Sequence, residues 1–288
     1  MKVLVCPDIH QNLLTIRHCI DELRSGNVDK VIFLGDVMDA WTSGPWYVDD
    51  DHNPAYVLSK LAEWKEEFGN KFVWCLGNHD FAYVNVKNRD LRISDIENAI
   101  YISGHQHNHH NEISQEFDKY LHLIQLADYT DGVMYSHAGF TNKWLKEFLI
   151  KHLHGGERPK SYMQIYKEET QNPEKILNFM NVNWRSPDVS RRYFDHRSYS
   201  PTGNDPMEGP LWVRPNALMM DSAFPIQVVG HTELDKVEKY FDKKKKHIVV
   251  CVDTPDHNSC LYITNGNIDK MQPLKFTRDM DTFSSYWS

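Results

Sequence analysis

Short apolar runs recur along the chain, and five of them give way at once to a polar cluster. Residues 3–6, 30–34, 72–76, 133–136 and 226–229 are mostly apolar or β-branched, broken only by Lys30, Ser136 and Gln227, as buried strands are. Between the first two, Leu13, Ile16, Ile20 and Leu23 repeat at helical spacing until Gly26-Asn27. Between the second and third, Val57, Leu58, Leu61, Trp64 and Phe68 repeat across residues 54–68 and stop at Gly69-Asn70. Three strand–loop–helix cycles in succession predict a sheet with parallel strands and covering helices. Two insertions interrupt the alternation. Residues 81–131 turn polar and mostly helical, and residues 141–210 mix helical stretches with Pro and Gly. Residues 247–252 and 260–264 read as late antiparallel strands, with a hairpin signal at Asn265-Gly266-Asn267.

The polar clusters at the five strand ends are PDIH, GDVMD, GNHD, SHAG and GHTE. Ligands of open α/β sheets bind beyond the carboxyl ends of the strands. One or two polar ends arise wherever strands surface; five that all carry Asp, Asn or His point to one shared site. Asp8 and His10 alternate, so a strand-end loop can aim both at one cation. Asp36 can place its two oxygens on two ions. Asn78, His137 and His231 offer an amide oxygen and two imidazoles to a second ion. This N and O donor set suits two first-row divalent metals, Mn first, with Fe, Zn or Co as alternatives. No cysteine enters the motifs, which argues against a structural zinc site. Two such ions about 3.5–4 Å apart clamp a phosphoryl group and supply hydroxide at neutral pH. His79 cannot easily share an ion with adjacent Asn78, so it is the residue placed to protonate a leaving oxygen or meet transition-state charge.

Composition narrows the partners. At 288 residues with 41% hydrophobic and 12% aromatic residues the chain can bury a large core as one domain with insertions. No apolar run approaches the roughly 20 residues of a membrane span, and the four-residue run near the N-terminus is shorter than a secretory signal needs. The expected location is the cytoplasm. The five cysteines form no CxxC pair and read as buried free thiols. A net charge of −8, with no basic stripe beyond the lysines at 243–246, disfavours long nucleic acids but leaves small phosphorylated groups open.

These motifs in this order resemble the calcineurin-like metallophosphoesterase superfamily. The likeness covers the sheet-forming parts of the chain and not the insertions. It is closest to the bacterial and phage phosphoprotein phosphatase branch (lambda phosphatase-like), whose GHT motif lacks a second histidine, as Gly230-His231-Thr232 does. Leu211-Trp212-Val213-Arg214 is similar to that branch's tryptophan–x–arginine segment, and Cys251-Val252-Asp253-Thr254 followed by residues 260–264 to its closing hairpin. The resemblance implies an α/β fold, a four-layer αββα sandwich of two mixed sheets within a single domain over residues 1–288. It implies Asp8, His10 and bridging Asp36 on one metal, and Asp36, Asn78, His137 and His231 on the other. His79 becomes the catalytic imidazole with Asp39 as its carboxylate partner, and Arg214 the phosphate-binding residue. Three departures stand out: Asp39-Ala40-Trp41 where the family has Asp-Arg-Gly, no glycines flanking Asp8-Ile9-His10, and GNHD for GNHE. One of two expected phosphate arginines is therefore absent. Arg89, Arg92, Arg191, Arg192 and Arg197 are the candidates to replace it.

Gly104-His105-Gln106-His107 also fits a GHxH pattern, but it precedes SHAG and is followed by His109 and His110. It reads as a histidine-rich surface loop. Trp212 reads as packing, while Trp41, Trp46 and Tyr47 serve equally for packing or for the mouth of the site. The expected activity is metal-dependent hydrolysis of a phosphate ester on a phosphoprotein or small molecule. The alternatives are hydrolysis of a dinucleoside polyphosphate, or a metal-binding scaffold without turnover.

Overall fold

The computed structural model describes residues 1–39, 53–84, 104–153, 172–186, 194, 202–242, 247–254 and 260–274. Ala40, Trp41, Trp46, Tyr47, the five candidate arginines and the lysines at 243–246 lie outside them.

Ten strands form two mixed five-stranded sheets. In the first, β1 (Lys2–Cys6), β2 (Lys30–Phe33) and β3 (Phe72–Trp74) are parallel neighbours. Strands β9 (Cys260–Thr264) and β10 (Asn267–Leu274) complete it in the order β10-β9-β1-β2-β3, with β9 antiparallel to β1. In the second, β4 (Ala127–Thr130), β5 (Val133–Ser136), β6 (Ile226–Val229), β7 (Glu238–Asp242) and β8 (His247–Cys251) take the order β4-β5-β6-β8-β7. Strands β5, β6 and β8 are parallel.

The two-residue period of a strand sets the layers. Val3 and Val5 of β1, with Ile32 and Val73, meet Val133, Tyr135, Val228 and Val250 of the second sheet in one buried cluster. The alternate residues Leu4, Cys6, Val31 and Phe33 face the other way, toward α1 (Leu13–Arg24), α2 (Pro54–Phe68) and α4 (His110–Tyr120). On the second sheet, Val229, Val249 and Cys251 pack on Ala217 and Leu218 of α7 (Pro215–Asp221). The result is sheet on sheet with helices outside. Three further helices are α3 (Asn78–Phe81), α5 (Asn142–Leu153) and α6 (Pro173–Asn183). Among the described residues no helix is long and apolar enough to cross a membrane.

Helix starts follow local chemistry: the side-chain oxygens of Asn12 and Asn53 accept first-turn amides of α1 and α2. Strand β8 departs from the sequence expectation. It pairs antiparallel with β7 but parallel with β6, because β7 enters at the edge and frees β8 to join the parallel core. Strands β4 and β7 escaped the sequence reading; β7 is a half-exposed edge strand with no continuous apolar run. All five cysteines are free and buried. The Sγ atoms of Cys6, Cys19 and Cys260 lie 2.9, 3.2 and 3.5 Å apart.

Candidate functional site

The five motif loops leave the ends of β1, β2, β3, β5 and β6, all of them parallel strands of the two stacked sheets, and meet. The loops pay for this in backbone conformation. Among the described residues seven non-glycines have positive φ, and five of them are His10, Gln11, Asp36, Asp39 and His231. Each such residue costs on the order of 1–3 kcal/mol and persists only when its surroundings hold it. Main-chain bonds supply the hold. Ile9 N and His10 N donate to Asp36 O at 3.0 and 2.8 Å, and Gln11 N donates to Val37 O at 2.7 Å. His79 N donates to Asp36 Oδ1 at 2.9 Å, and His231 N to both Asp8 oxygens at 3.1 Å. The motif glycines Gly77 and Gly230 are required by contact. A Cβ on the first would collide with Asp36 Oδ1 and on the second with Asp8 Oδ1.

Two groups of donor atoms result, each within 4.8 Å: Asp8, His10 and Asp36, and Asp36, His137 and His231. Asp36 belongs to both. Imidazole tautomers follow from the bonds the other ring nitrogen makes. His10 Nδ1 lies 2.9 Å from Met38 O and 3.1 Å from Asp39 O, His137 Nδ1 3.1 Å from Leu34 O, and His231 Nε2 3.2 Å from Trp212 O. Carbonyls only accept, so those nitrogens carry the protons. The inward nitrogens, Nε2 of His10, Nε2 of His137 and Nδ1 of His231, present lone pairs. Asn78 Oδ1 lies 2.7 Å from His137 Nε2 and 2.9 Å from His231 Nδ1, which are themselves 3.1 Å apart. Three lone pairs converge there with no proton between them, and a cation satisfies all three. The donor set fits divalent metal.

Electrostatics agree. Burial pushes the Asp8 carboxyl well up, with Asp253 and Asp36 adding to it, and pushes Asp36 up to about 7. Burial also holds His137 and His231 well below the ordinary histidine range. Carboxyls driven toward neutrality beside neutral imidazoles are what a bound cation reverses.

His79 stands apart from both groups. Its Nδ1–H donates to Asp39 Oδ2 at 2.8 Å, and its Nε2 lies 3.9 Å from Asp36 Oδ2. Burial alone would lower its pKa, but the charges of Asp36 and Asp39 and the bond to Asp39 outweigh it and raise it. Arg214 Nη1 donates to His231 O at 2.8 Å and Thr232 Oγ1 at 3.1 Å. Burial lowers the Arg214 pKa, and Asp8, Asp36 and Asp253 oppose that shift. Trp212 packs: Nε1 donates to Phe194 O at 2.9 Å, and its ring meets His231 edge-on.

All nine sequence-derived residues thus come together, and three residues the sequence reading passed over join them. Asp80 is fully buried, accepting Val37 N and Met38 N on Oδ1 (2.8 and 3.0 Å) and Gly77 N on Oδ2 (3.0 Å). It clamps GDVMD to GNHD, and its signal was its place as the last residue of a ligand motif. Asp253, buried at the end of β8, was missed as a neighbour of Asp8 because β8 was expected to be antiparallel. Tyr83, just past α3, donates its hydroxyl to Asp39 Oδ1. The reading of residues 104–110 as a surface loop is corrected at His105, which is buried and stacked on Tyr83 at 4.5 Å.

Carboxyls and imidazoles from two stacked sheets, sharing one carboxylate, define a metal-dependent phosphoesterase, a hydrolase of phosphate esters. The sequence model of the calcineurin-like phosphoesterases matches residues 1–232, and the chain belongs to that family. Comparison with curated proteins gives no match. Among solved structures, a cold-active protein-tyrosine phosphatase of a psychrophilic Shewanella species is 15% identical, with a TM-score of 0.45 over 95% of this chain and 80% of that one. A metallophosphoesterase from Sphaerobacter thermophilus is 13% identical, with a TM-score of 0.43 over 98% of this chain and 91% of that one.

Proposed function

We propose that the chain is a dinuclear phosphomonoesterase of the protein-phosphatase-like branch, one domain over residues 1–288 with insertions near 81–131 and 141–210. The observation that carries this reading is the convergence of proton-free donors: Asn78 Oδ1, His137 Nε2 and His231 Nδ1 on one side of Asp36, and Asp8 and His10 on the other. Asp8, His10 and Asp36 would hold one ion; Asp36, Asn78, His137 and His231 would hold the second. Manganese fits this hard-oxygen and imidazole set, as do Fe, Zn and Co. When bound, the metals supply an activated water and neutralise phosphoryl charge.

The chain's own residues do the rest. Asp39 fixes the Nδ1–H tautomer of His79, which leaves Nε2 facing the metal groups to carry a proton to the leaving oxygen. Against the lowering effect of burial, Asp36 and Asp39 raise the His79 pKa, which favours the protonated imidazole that a general acid needs. Arg214, anchored on the GHT loop beside Asp8 and Asp36, is placed to meet phosphate oxygens. The substrate is a phosphoprotein or a small phosphorylated molecule. The free buried thiols support a reducing, cytoplasmic setting.

Metal-dependent hydrolysis of p-nitrophenyl phosphate tests the reading. Wild type should turn over with Mn, and His79→Asn should keep its metal and lose far more activity on phenyl phosphate, whose leaving oxygen needs a proton, than on p-nitrophenyl phosphate. Inactivity of wild type across Mn, Fe, Co, Ni and Zn would overturn it. Competition among phosphopeptides, nucleotides and dinucleoside tetraphosphate then identifies the substrate class.

A further inference from the structure

We propose that Tyr83 is a positioning residue of the site: its hydroxyl, oriented by the Gln106 amide, holds Asp39 so that Asp39 can aim His79 at the substrate. The inference rests on the proton-donor reading of His79 and extends it to the first insertion.

Hydrogen-bond polarity carries the case. Gln106 N donates to the Tyr83 hydroxyl at 2.8 Å, so the oxygen accepts there and must send its own proton elsewhere. The neighbour that can take it is Asp39 Oδ1. The other Asp39 oxygen accepts from His79 Nδ1 at 2.8 Å. Both Asp39 oxygens are therefore acceptors, one of the Tyr83 hydroxyl and one of His79 Nδ1–H, and the Gln106 amide fixes the first by donating to the Tyr83 oxygen. Asp39 has a fully buried side chain on a strained backbone, φ 64°, and its carboxyl group needs both partners to stay aligned. Removing one leaves a buried oxygen without its donor and a carboxyl group able to turn away from His79.

The ring of Tyr83 is held independently of its hydroxyl. It stacks on His105 at 4.5 Å and 18°, and lies parallel to Phe117 of α4 at 6.4 Å. Gln106 is tied down in turn, its side-chain amide donating to Gln11 Oε1 in the first motif loop. The segment carrying the histidine-rich sequence therefore supports the acid side of the site, and among the described residues His105 belongs to neither donor group around Asp36. Because the ring is fixed by stacking, Tyr83→Phe should remove the hydroxyl and leave the packing.

The test compares two aryl phosphates with Mn-loaded enzyme. p-Nitrophenolate leaves readily without a proton, whereas phenolate needs one. Tyr83→Phe should lose roughly tenfold in kcat on phenyl phosphate and about twofold or less on p-nitrophenyl phosphate, as expected when a bond that aligns an acid is lost. KM and metal content should not change. In an Asp39→Asn background the same substitution should add almost nothing, since it acts through Asp39. Placing 3-fluorotyrosine at position 83 keeps the ring and a stronger donor, and should restore the phenyl phosphate rate. Equal losses on both substrates, additivity with Asp39→Asn, or no rescue by the fluorinated residue would each overturn the assignment.

The underlying reading fails separately. If His79→Asn falls equally on both substrates, or wild type hydrolyses neither, the proton-donor role is lost before Tyr83 is considered. A readout without turnover then decides Tyr83. The downfield proton resonance of His79 Nδ1–H, identified by its absence in His79→Asn, should move in Tyr83→Phe. An unmoved resonance overturns the proposal.

Discussion

Asp80 offers the sharpest test of how the site is assembled. Its carboxyl accepts three backbone amides, two from the loop that carries Asp36 and Asp39 and one from the turn that carries Asn78 and His79. Burial raises its pKa to about 6, against the lowering effect of those three amides, so it is mostly ionised at neutral pH. Asp80→Ala would leave three buried N–H groups without an acceptor. Each such group costs about 1–3 kcal/mol; water entering the vacated space offsets part, which leaves roughly 3–5 kcal/mol in all. For a chain of this size 1 kcal/mol moves the melting temperature by about 2–4 °C, so the expected drop is on the order of 10 °C. Asp80→Asn can keep an oxygen toward Val37 and Met38 but turns an amide on the Gly77 N–H, so it should fall between Ala and wild type. Calorimetry at pH 7.5, with metal content measured on the same samples, reads both effects. An Asp80→Ala protein that melts within about 2 °C of wild type and keeps its metal would refute the clamp.

Asp36→Asn should abolish turnover and cut the metal content measured by elemental analysis, because the one carboxylate common to both donor groups loses its charge; near-normal turnover would sink the shared role. Gly230→Ala should fold yet lose metal and activity, since its Cβ meets Asp8 Oδ1, and unchanged metal content would show that the loop accommodates the methyl group. Metal should stabilise the protein more at pH 7.5 than at pH 5.5. A buried carboxyl with a raised pKa favours folding only while protonated, so the Asp36 penalty begins near the ordinary pKa of 3.8 and is complete by about 7, reaching at most about 4 kcal/mol in metal-free protein. A bound cation removes it, and thermal-shift gains from millimolar Mn that are equal at the two pH values would contradict this sign.

What the sequence made legible follows from what kind of signal each feature leaves. The parallel strands of the core are continuous apolar runs, so β1, β2, β3, β5 and β6 were readable, and the rule that ligands gather at their carboxyl ends named Asp8, His10, Asp36, Asn78, His137 and His231. Periodicity could not see β7, whose residues are half exposed, nor the partner choice of β8, which depends on what lies beside it in space. Asp253 was lost with that choice. The roles of Asp80 and Tyr83 depend on which amide each oxygen meets, and no spacing encodes that. Sequence marked His105 as polar; contact with Tyr83 buries it.

The bonds that orient the inward-facing imidazoles end on main-chain carbonyls of Leu34, Met38, Asp39 and Trp212. A carbonyl is the same whatever side chain its residue bears. The proton positions that make His10, His137 and His231 electron-pair donors are therefore written into backbone geometry and indifferent to most substitutions around them. Changes in an insertion leave these three imidazoles untouched while the strand ends stay in register, whereas the acid side, braced by Tyr83 and Gln106 of the first insertion, would feel them.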